Sequence, residues 1–462
     1  MFTQLRIQNF KAWKDTGNIR LAPLTVFFGP NSSGKTSLLQ FLLMLKQTAQ
    51  SPDPKVVLDF GGDGRSYVDL GVWPEMVFAH DARRSLGFEL KWRVLEVPQV
   101  DKPERKATVI RFQAEVGVPA EDSPLITRKF RYEFDLWQGR NIFSLGIDRG
   151  PNEEYEFWHR DTRGHIASAR RPGMEEKALS APVHFYGFPL ETSTYYSGTG
   201  FTDQAELNIV QQLGAIRYLG PLRQMPRRLY AWAGASPVDV GIYGDQVVDA
   251  LLSDRDRMLQ PADSSEAIRF EELIERWLRR LGLLEAFAAK RIAPHRKEYE
   301  LRVVTPDSRE VVSLVDVGFG VSQFLPVLVQ LFYAKEDSVL IFEQPEIHLH
   351  PRVQSELADL FIEALLMREK GWPKNVQILV ESHSEHFLRR LQRRIAEGVL
   401  TPDQTALYFC KPGPDGSTIE ELKLDEYGNI SNWPENFFGD EVGDLAAMTE
   451  AAMKRQLGSE GE

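Results

Sequence analysis

Gly29-Pro30-Asn31-Ser32-Ser33-Gly34-Lys35-Thr36 follows directly on a short apolar, strand-favouring run and is followed by good helix formers as far as Leu45. No other stretch restricts the fold so tightly. Two glycines with four residues between them, then Lys and Thr, make the phosphate-loop pattern, which needs a strand before it and a helix after it. Both are expected here. The glycines let the backbone curl so that successive N–H groups point at one centre. The positive end of the next helix points at the same place, and a polyphosphate anion sits there. Lys35 adds a point charge for the β- and γ-phosphates, Thr36 offers a hydroxyl to Mg²⁺, and Ser37 completes the phosphate-facing set. An ordinary glycine-rich turn has no need of such flanks. The stretch reads as a nucleotide site.

Composition narrows the classes. At 462 residues the chain can bury a large core and fold as two or more units. The net charge of −11, from 55 Lys and Arg against 66 Asp and Glu, argues against a protein that coats nucleic acid, although a local basic patch stays open. The single cysteine, Cys410, excludes an internal disulfide and a cysteine-cluster metal site, which suits the cytoplasm. The N-terminal MFTQLRIQNFKAWKD alternates apolar and polar residues and has no signal-peptide core. No segment approaches the roughly 20 apolar residues of a membrane span. A soluble, cytoplasmic protein without membrane contact is expected.

Along the chain, LRIQNF and then LTVFF read as strands. Between about 84 and 187, runs at 86–97, 107–116 and 129–137 alternate with period two, and 153–158 adds another. These predict an antiparallel sheet with one wet face, and its aromatics (Phe88, Trp92, Phe130, Tyr132, Phe134, Trp137) suit a core better than a base-stacking platform. Helices are expected at 203–213 and 245–260. Helical periodicity over 264–290, with Ile268, Leu273, Ile274, Trp277, Leu278 and Leu281 as its stripe, predicts one or two more. No heptad run is long enough for a coiled-coil arm. Residues 301–304 and 311–315 suggest a hairpin about Pro306-Asp307, 319–333 an apolar helix, and the chain ends in two short strands and an acidic tail.

A phosphate loop also needs an acid for the metal and a group that orients water. The apolar run VLIF delivers Glu343 at a strand's C-terminal edge, where open α/β sheets bind ligands. A second run, VQILV, ends in Glu381-Ser382-His383.

Taken together, LRIQNF, GPNSSGKT, the glycine turn GFGVSQ, LIFEQPEIHLHP and ILVESHS resemble the ABC-type ATPases of the SMC/RecF and OLD-like group. They are similar in particular to smaller bacterial AAA-family ATPases with EQPEIHLHP here and a short extra C-terminal domain, in which WPENFF falls. The resemblance covers about 1–75 and 310–440 and the middle only weakly. It implies an α/β P-loop NTPase of the ABC head type built from both chain ends, with an antiparallel β subdomain and a helical insert. The units expected are 1–80 and 301–404 for the two halves of the ATPase core, 81–200 for the β-rich subdomain, 201–300 for the insert and 405–462 for a small C-terminal domain.

By the same resemblance ATP and Mg²⁺ are the cofactors, Lys35 and Thr36 are the Walker A pair, Glu343 is the Walker B acid and His383 the switch histidine at the γ-phosphate. Gly320, Val321, Ser322 and Gln323 stand where a signature motif from a second protomer closes over ATP. That implies a homodimer or higher homo-oligomer joined through ATP-bound heads. One departure is that Glu343-Gln344 replaces the usual Asp-Glu, and an amide orients water but takes no proton. Three arrangements stay open: Gln344 positions water and turnover is slow, Glu381 is the base, or Glu346 is. Slow hydrolysis assisted by Glu381 or Glu346 is favoured. His348 and His350, beside Glu346, suit a structural or interface role better than a zinc site. Arg389, Arg390, Arg393 and Arg394 fit ion pairs or a solvated face better than a phosphate backbone. Arg223, Arg227 and Arg228 could meet such a backbone or sense nucleotide state.

The leading functional expectation is an ATP-hydrolysing switch that controls a separate effector, a nuclease or toxin, in bacterial anti-phage defence. The alternatives are a DNA-repair ATPase acting on DNA, a single-chain nuclease of OLD type, for which no acid-rich module follows His386, and an ATP-gated scaffold without turnover.

Overall fold

The computed structural model of the chain describes all residues except 65, 95–108, 121–122, 136–140, 175, 263, 307–309, 435–436, 440 and 460–462. Its centre is a six-stranded sheet in the order Ile216–Leu219, Val339–Glu343, Gln377–Glu381, Leu24–Phe28, Thr405–Lys411 and Thr418–Glu421. The first five strands are parallel, and the last turns back antiparallel at the edge. The three middle strands are buried along their whole length, which is why their sequences are continuously apolar rather than alternating.

This sheet is the wall between two cores. Leu24, Val26, Phe28, Leu340, Phe342, Ile378 and Val380 point into one, with the helices Phe270–Arg280, Phe319–Tyr333, Pro351–Leu366 and Glu385–Ala396. Phe27, Val339, Ile341 and Leu379 point into the other, with the helices Lys35–Ala49 and Thr202–Gly214. The period of two along each strand decides which core a residue joins.

Beyond the phosphate-loop helix lies the antiparallel sheet. It runs through Phe2–Phe10, Leu86–Arg93, Val109–Gly117, Ile126–Asp135, Asn141–Arg149 and Tyr155–Arg160. Burial alternates as expected, and Phe88 packs edge-on against Phe41 of the phosphate-loop helix at 5.1 Å between ring centroids. The expected strand ends at 95–97, 107–108 and 136–137, Trp137 included, fall outside the described residues. The first strand of the chain belongs to this sheet, with Leu5 opposite Leu90, so the line drawn at residue 80 runs through a ladder. Likewise the range 201–300 contains Ile216–Leu219, an edge strand of the parallel sheet.

Two helical expectations need correction. The periodic stretch 264–290 is helical only over Phe270–Arg280. Gly282, at φ +68°, ends it: its N–H donates to the Arg279 carbonyl and the Leu283 N–H to that of Leu278, a Schellman closure. The apolar residues beyond it form the strand Ala286–Arg291, paired with Glu298–Val304. The helix expected at 245–260 covers only Val247–Ser253, and Met258–Leu259 pairs with Ile268–Arg269 instead. The hairpin is present, with Val304 opposite Val311, although Asp307 of its turn is outside the described residues. The acidic tail contains a helix, Glu441–Ser459. No helix among the described residues is long and apolar enough to cross a membrane.

Candidate nucleotide site

The phosphate loop leaves the buried strand Leu24–Phe28 at Gly29, whose φ is +140°. A Cβ at Gly29 would lie 2.2 Å from the Cys410 carbonyl oxygen, on the neighbouring strand. Both the backbone angle and the close approach therefore demand glycine. Gly34, at φ +91°, ends the loop against the ring of Trp13, which a Cβ would meet at 2.9 Å. Trp13 is fully buried and donates its indole N–H to Ser37 Oγ at 3.0 Å and to the Gly34 carbonyl at 3.2 Å. It is the floor of the loop. Gly29→Ala is expected to lower unfolding free energy by at least about 2 kcal/mol, read from a denaturant titration, because strain and clash add. A stability change below about 0.5 kcal/mol would show that the loop has another way to accommodate the methyl group.

Lys35 opens the helix and is almost wholly buried. Its ammonium donates to the carbonyls of Gly29 at 3.0 Å and Pro30 at 2.8 Å and lies 3.9 Å from Glu381. Burial lowers its pKa, while the Glu381 charge works the other way. Glu381 also accepts from the Thr36 hydroxyl. The two parallel strands beside the loop end in register, Glu343 opposite Glu381. Sequence reading placed both acids at strand tips, and the structure sets them side by side, with Glu381 against Lys35 and Thr36.

Burial, reinforced by the facing carboxylate of Glu381, pushes Glu343 up to about 7. Glu381 and Glu346 are raised too, again chiefly by burial. The Tyr218 hydroxyl donates to Glu343 Oε1 at 3.0 Å. Two adjacent buried carboxylates resist ionisation together and favour a bound cation. Mg²⁺ is usually held by one or two carboxylates plus substrate phosphates, not by an all-protein cage. Thr36 and Glu343 fit that pattern, with Glu381 beside them. Consistently, no group of three or more His, Cys, Asp or Glu side chains among the described residues is arranged to hold a metal alone.

The Glu343-Gln344-Pro345-Glu346 turn continues the site. Gln344 sits at φ +44° and donates its N–H to the Glu381 carbonyl at 2.9 Å. Glu346 Oε1 accepts from Ser382 Oγ at 2.9 Å and from the His383 N–H at 2.6 Å, which braces the loop carrying His383. Burial lowers the His383 pKa, with Lys35 adding to the effect, so the ring is neutral at pH 7. Several buried polar atoms here have no partner among the described residues: Ser33 Oγ, Glu346 Oε2, Glu381 Oε2, His383 Nε2, and Nε and Nη1 of Arg223. Buried polar groups are ordinarily paired, so this concentration marks a place built for a polar ligand.

Most of the other sequence candidates lie elsewhere. Gly320, Ser322 and Gln323 open the helix Phe319–Tyr333, where Gly320 faces the His348 carbonyl and Ser322 and Gln323 are buried. His350 caps the helix Pro351–Leu366, its ring accepting from the Arg352 N–H. Arg389, Arg390, Arg393 and Arg394 pair with Glu385, Asp359 and Glu397, as the ion-pair reading expected. Arg228 pairs with Asp316, whereas Arg223 is buried beside Glu343. Sequence reading missed Trp13 and Tyr218. Tyr218 had one signal, its place in the run IRYL just before Gly220-Pro221.

A parallel sheet with the phosphate loop after a central strand and acids at the tips of the next two defines a P-loop ATPase head of ABC type. No coiled-coil arm is present among the described residues. The chain belongs to the family described as "AAA domain, putative AbiEii toxin, Type IV TA system", which matches residues 24–389. Residues 400–448 match a second family, a protein of unknown function, DUF3696. Among solved structures, an SMC head domain from Thermotoga maritima is 12% identical, with a TM-score of 0.39 over 92% of this chain and 99% of that one. An Smc head bound to the C-terminal winged-helix domain of ScpA is 12% identical, with a TM-score of 0.43 over 92% and 98%. No curated protein matches the chain.

Proposed function

We propose that the chain is an ATP-binding and ATP-hydrolysing switch whose ATP-bound heads associate and whose state controls a separate effector, a nuclease or toxin, in bacterial anti-phage defence. One observation carries the chemical part: Lys35, Thr36, Glu381 and Glu343 gather at one sheet edge, with Lys35 Nζ 3.9 Å from Glu381 and Glu381 in register with Glu343. The backbone N–H groups of the loop, which Pro30 lacks, and Lys35 hold the phosphates. Thr36 and Glu343 would hold Mg²⁺, which when bound would offset the phosphate charge. Glu381, its pKa raised by burial, is the carboxylate left to take a proton from water. Glu346 is committed to Ser382 and His383 and acts by holding His383 in place. Gln344 orients water without accepting its proton, so turnover is slow. Gly320, Ser322 and Gln323 of a second head close the site.

The family's description supports the defensive setting, and the ion-paired arginines and acidic charge weigh against direct action on DNA. The particle mass with and without Mg²⁺–ATP tests the switch. A doubling or more with ATP, reversed as ADP accumulates, is expected. A constant mass would remove the switch and leave at most a monomeric ATPase. Gln344 favours one rival, the ATP-gated scaffold; ADP release above the Lys35→Ala background excludes it.

A further inference from the structure

Four strand tips lie in a row along the C-terminal edge of the parallel sheet. In sheet order they carry Arg223, in the segment just after Ile216–Leu219, then Glu343, then Glu381, then the phosphate loop with Lys35. At about 4.8 Å between strands, the two cations bracket the two acids across roughly 14 Å. Arg223 is only 8% exposed. Its Nη2 reaches the Glu343 carbonyl at 3.5 Å, a long contact, and its Nε and Nη1 have no partner among the described residues. Glu346 is the acid whose charge acts on it most, yet no ion pair forms between them among the described residues, and Glu346 Oε2 is itself unpaired. Burial lowers the Arg223 pKa to about 10, which still leaves the guanidinium charged at pH 7.

A desolvated guanidinium with two idle donors is costly unless an anion completes it. The anion chemistry that suits it is planar and bidentate, a carboxylate or a phosphate oxygen pair. Glu346 cannot offer a bidentate pair, because its Oε1 is taken by Ser382 and His383 and only Oε2 remains. We propose that Arg223 is the terminal-phosphate sensor of the site. A triphosphate seated on the loop runs along the row of tips, and its third phosphate, not its second, comes within reach of Arg223. Because Arg223 lies between the exposed apolar residues Leu222 and Met225, the sensor also connects nucleotide state to the surface. This inference rests on the nucleotide-site reading, and its test separates the two.

The affinities of ATP and ADP, each with Mg²⁺, are measured by calorimetry for wild type, Lys35→Ala, Arg223→Gln and Arg223→Lys. Wild type is expected to prefer ATP. Arg223→Gln should lose that preference by tenfold to a hundredfold while ADP affinity stays within about twofold, the size expected for one charge-assisted contact. Arg223→Lys should fall between, keeping the charge without the fork. Should Arg223→Gln not fold, the Arg223→Lys ratio decides alone. An unchanged ATP-to-ADP ratio, or equal weakening of both, overturns the sensor and assigns Arg223 a structural role. Failure of wild type to bind either nucleotide overturns the nucleotide site itself, and the sensor with it.

Discussion

Lys35→Ala is expected to weaken Mg²⁺–ATP binding by at least about a hundredfold and to bring ADP release to background, with the fold intact. The direct loss is one charge-assisted contact to phosphate. The indirect loss adds to it. Lys35 is the cation nearest Glu381, 3.9 Å away and buried with it, so its removal leaves Glu381 and Glu343 side by side with less opposing charge. Both acids then hold protons more tightly, and a protonated pair is a poor metal ligand. Alanine keeps the helix start, since it is the best helix former and the Lys35 side chain makes no contact that defines the helix Lys35–Ala49. It also relieves the burial of an ammonium. Unfolding midpoints within a few degrees of wild type, together with calorimetry showing no heat on ATP addition, are the expected pair of results. Retained affinity within tenfold would mean that the polyphosphate sits elsewhere.

What could be read from the chain divides along physical lines. The phosphate loop was legible because its glycines answer to backbone geometry: Gly29 and Gly34 occupy positive φ and abut Cys410 and Trp13, constraints that survive any rearrangement further off. Glu343 and Glu381 were legible as acids that end apolar runs. Their register was not, because pairing of residues 38 positions apart, Glu343 with Glu381, depends on the whole sheet. Ile216–Leu219 was overlooked since four residues directly after a helix carry no separable period. Tyr218, the partner of Glu343, was lost with it. Trp13 offered no local pattern either, as an aromatic in a short strand reads the same above or below a ligand. The stretch 264–290 shows the opposite error: Leu283 and Leu284 prolong the apolar stripe, and Gly282, the one residue that ends the helix, was given too little weight.

Glu343→Gln is expected to stabilise the protein at high pH while removing its response to Mg²⁺–ATP. Burial and the facing Glu381 raise Glu343 from its ordinary 4.5 to about 7, against the smaller pull of the Tyr218 hydroxyl and of Lys11. For an acid whose folded pKa is raised, the folded chain keeps a proton that the unfolded chain gives up. The stability so gained is fully present below about pH 4.5 and is lost as pH rises through 7. At pH 8 an ionised Glu343 therefore costs on the order of 2 kcal/mol, allowing for its coupling to Glu381. Glutamine has the same shape, still accepts from Tyr218, and never ionises. Its melting temperature should exceed that of wild type at pH 8 by several degrees, and the gain should vanish near pH 5. Function moves the other way. Wild-type turnover should rise between pH 6 and 8 as the carboxylate that holds the metal ionises, and Mg²⁺–ATP should raise the wild-type melting temperature. Neither effect should survive in the variant, whose turnover should fall about a hundredfold or more. A variant that is less stable at pH 8 and pH 5 alike, or that still melts later with Mg²⁺–ATP, would assign Glu343 to the scaffold of the sheet and leave Glu381 as the only acid facing the phosphates. Stability given up at neutral pH by an acid that a metal ion must neutralise is the expected mark of a site kept for function.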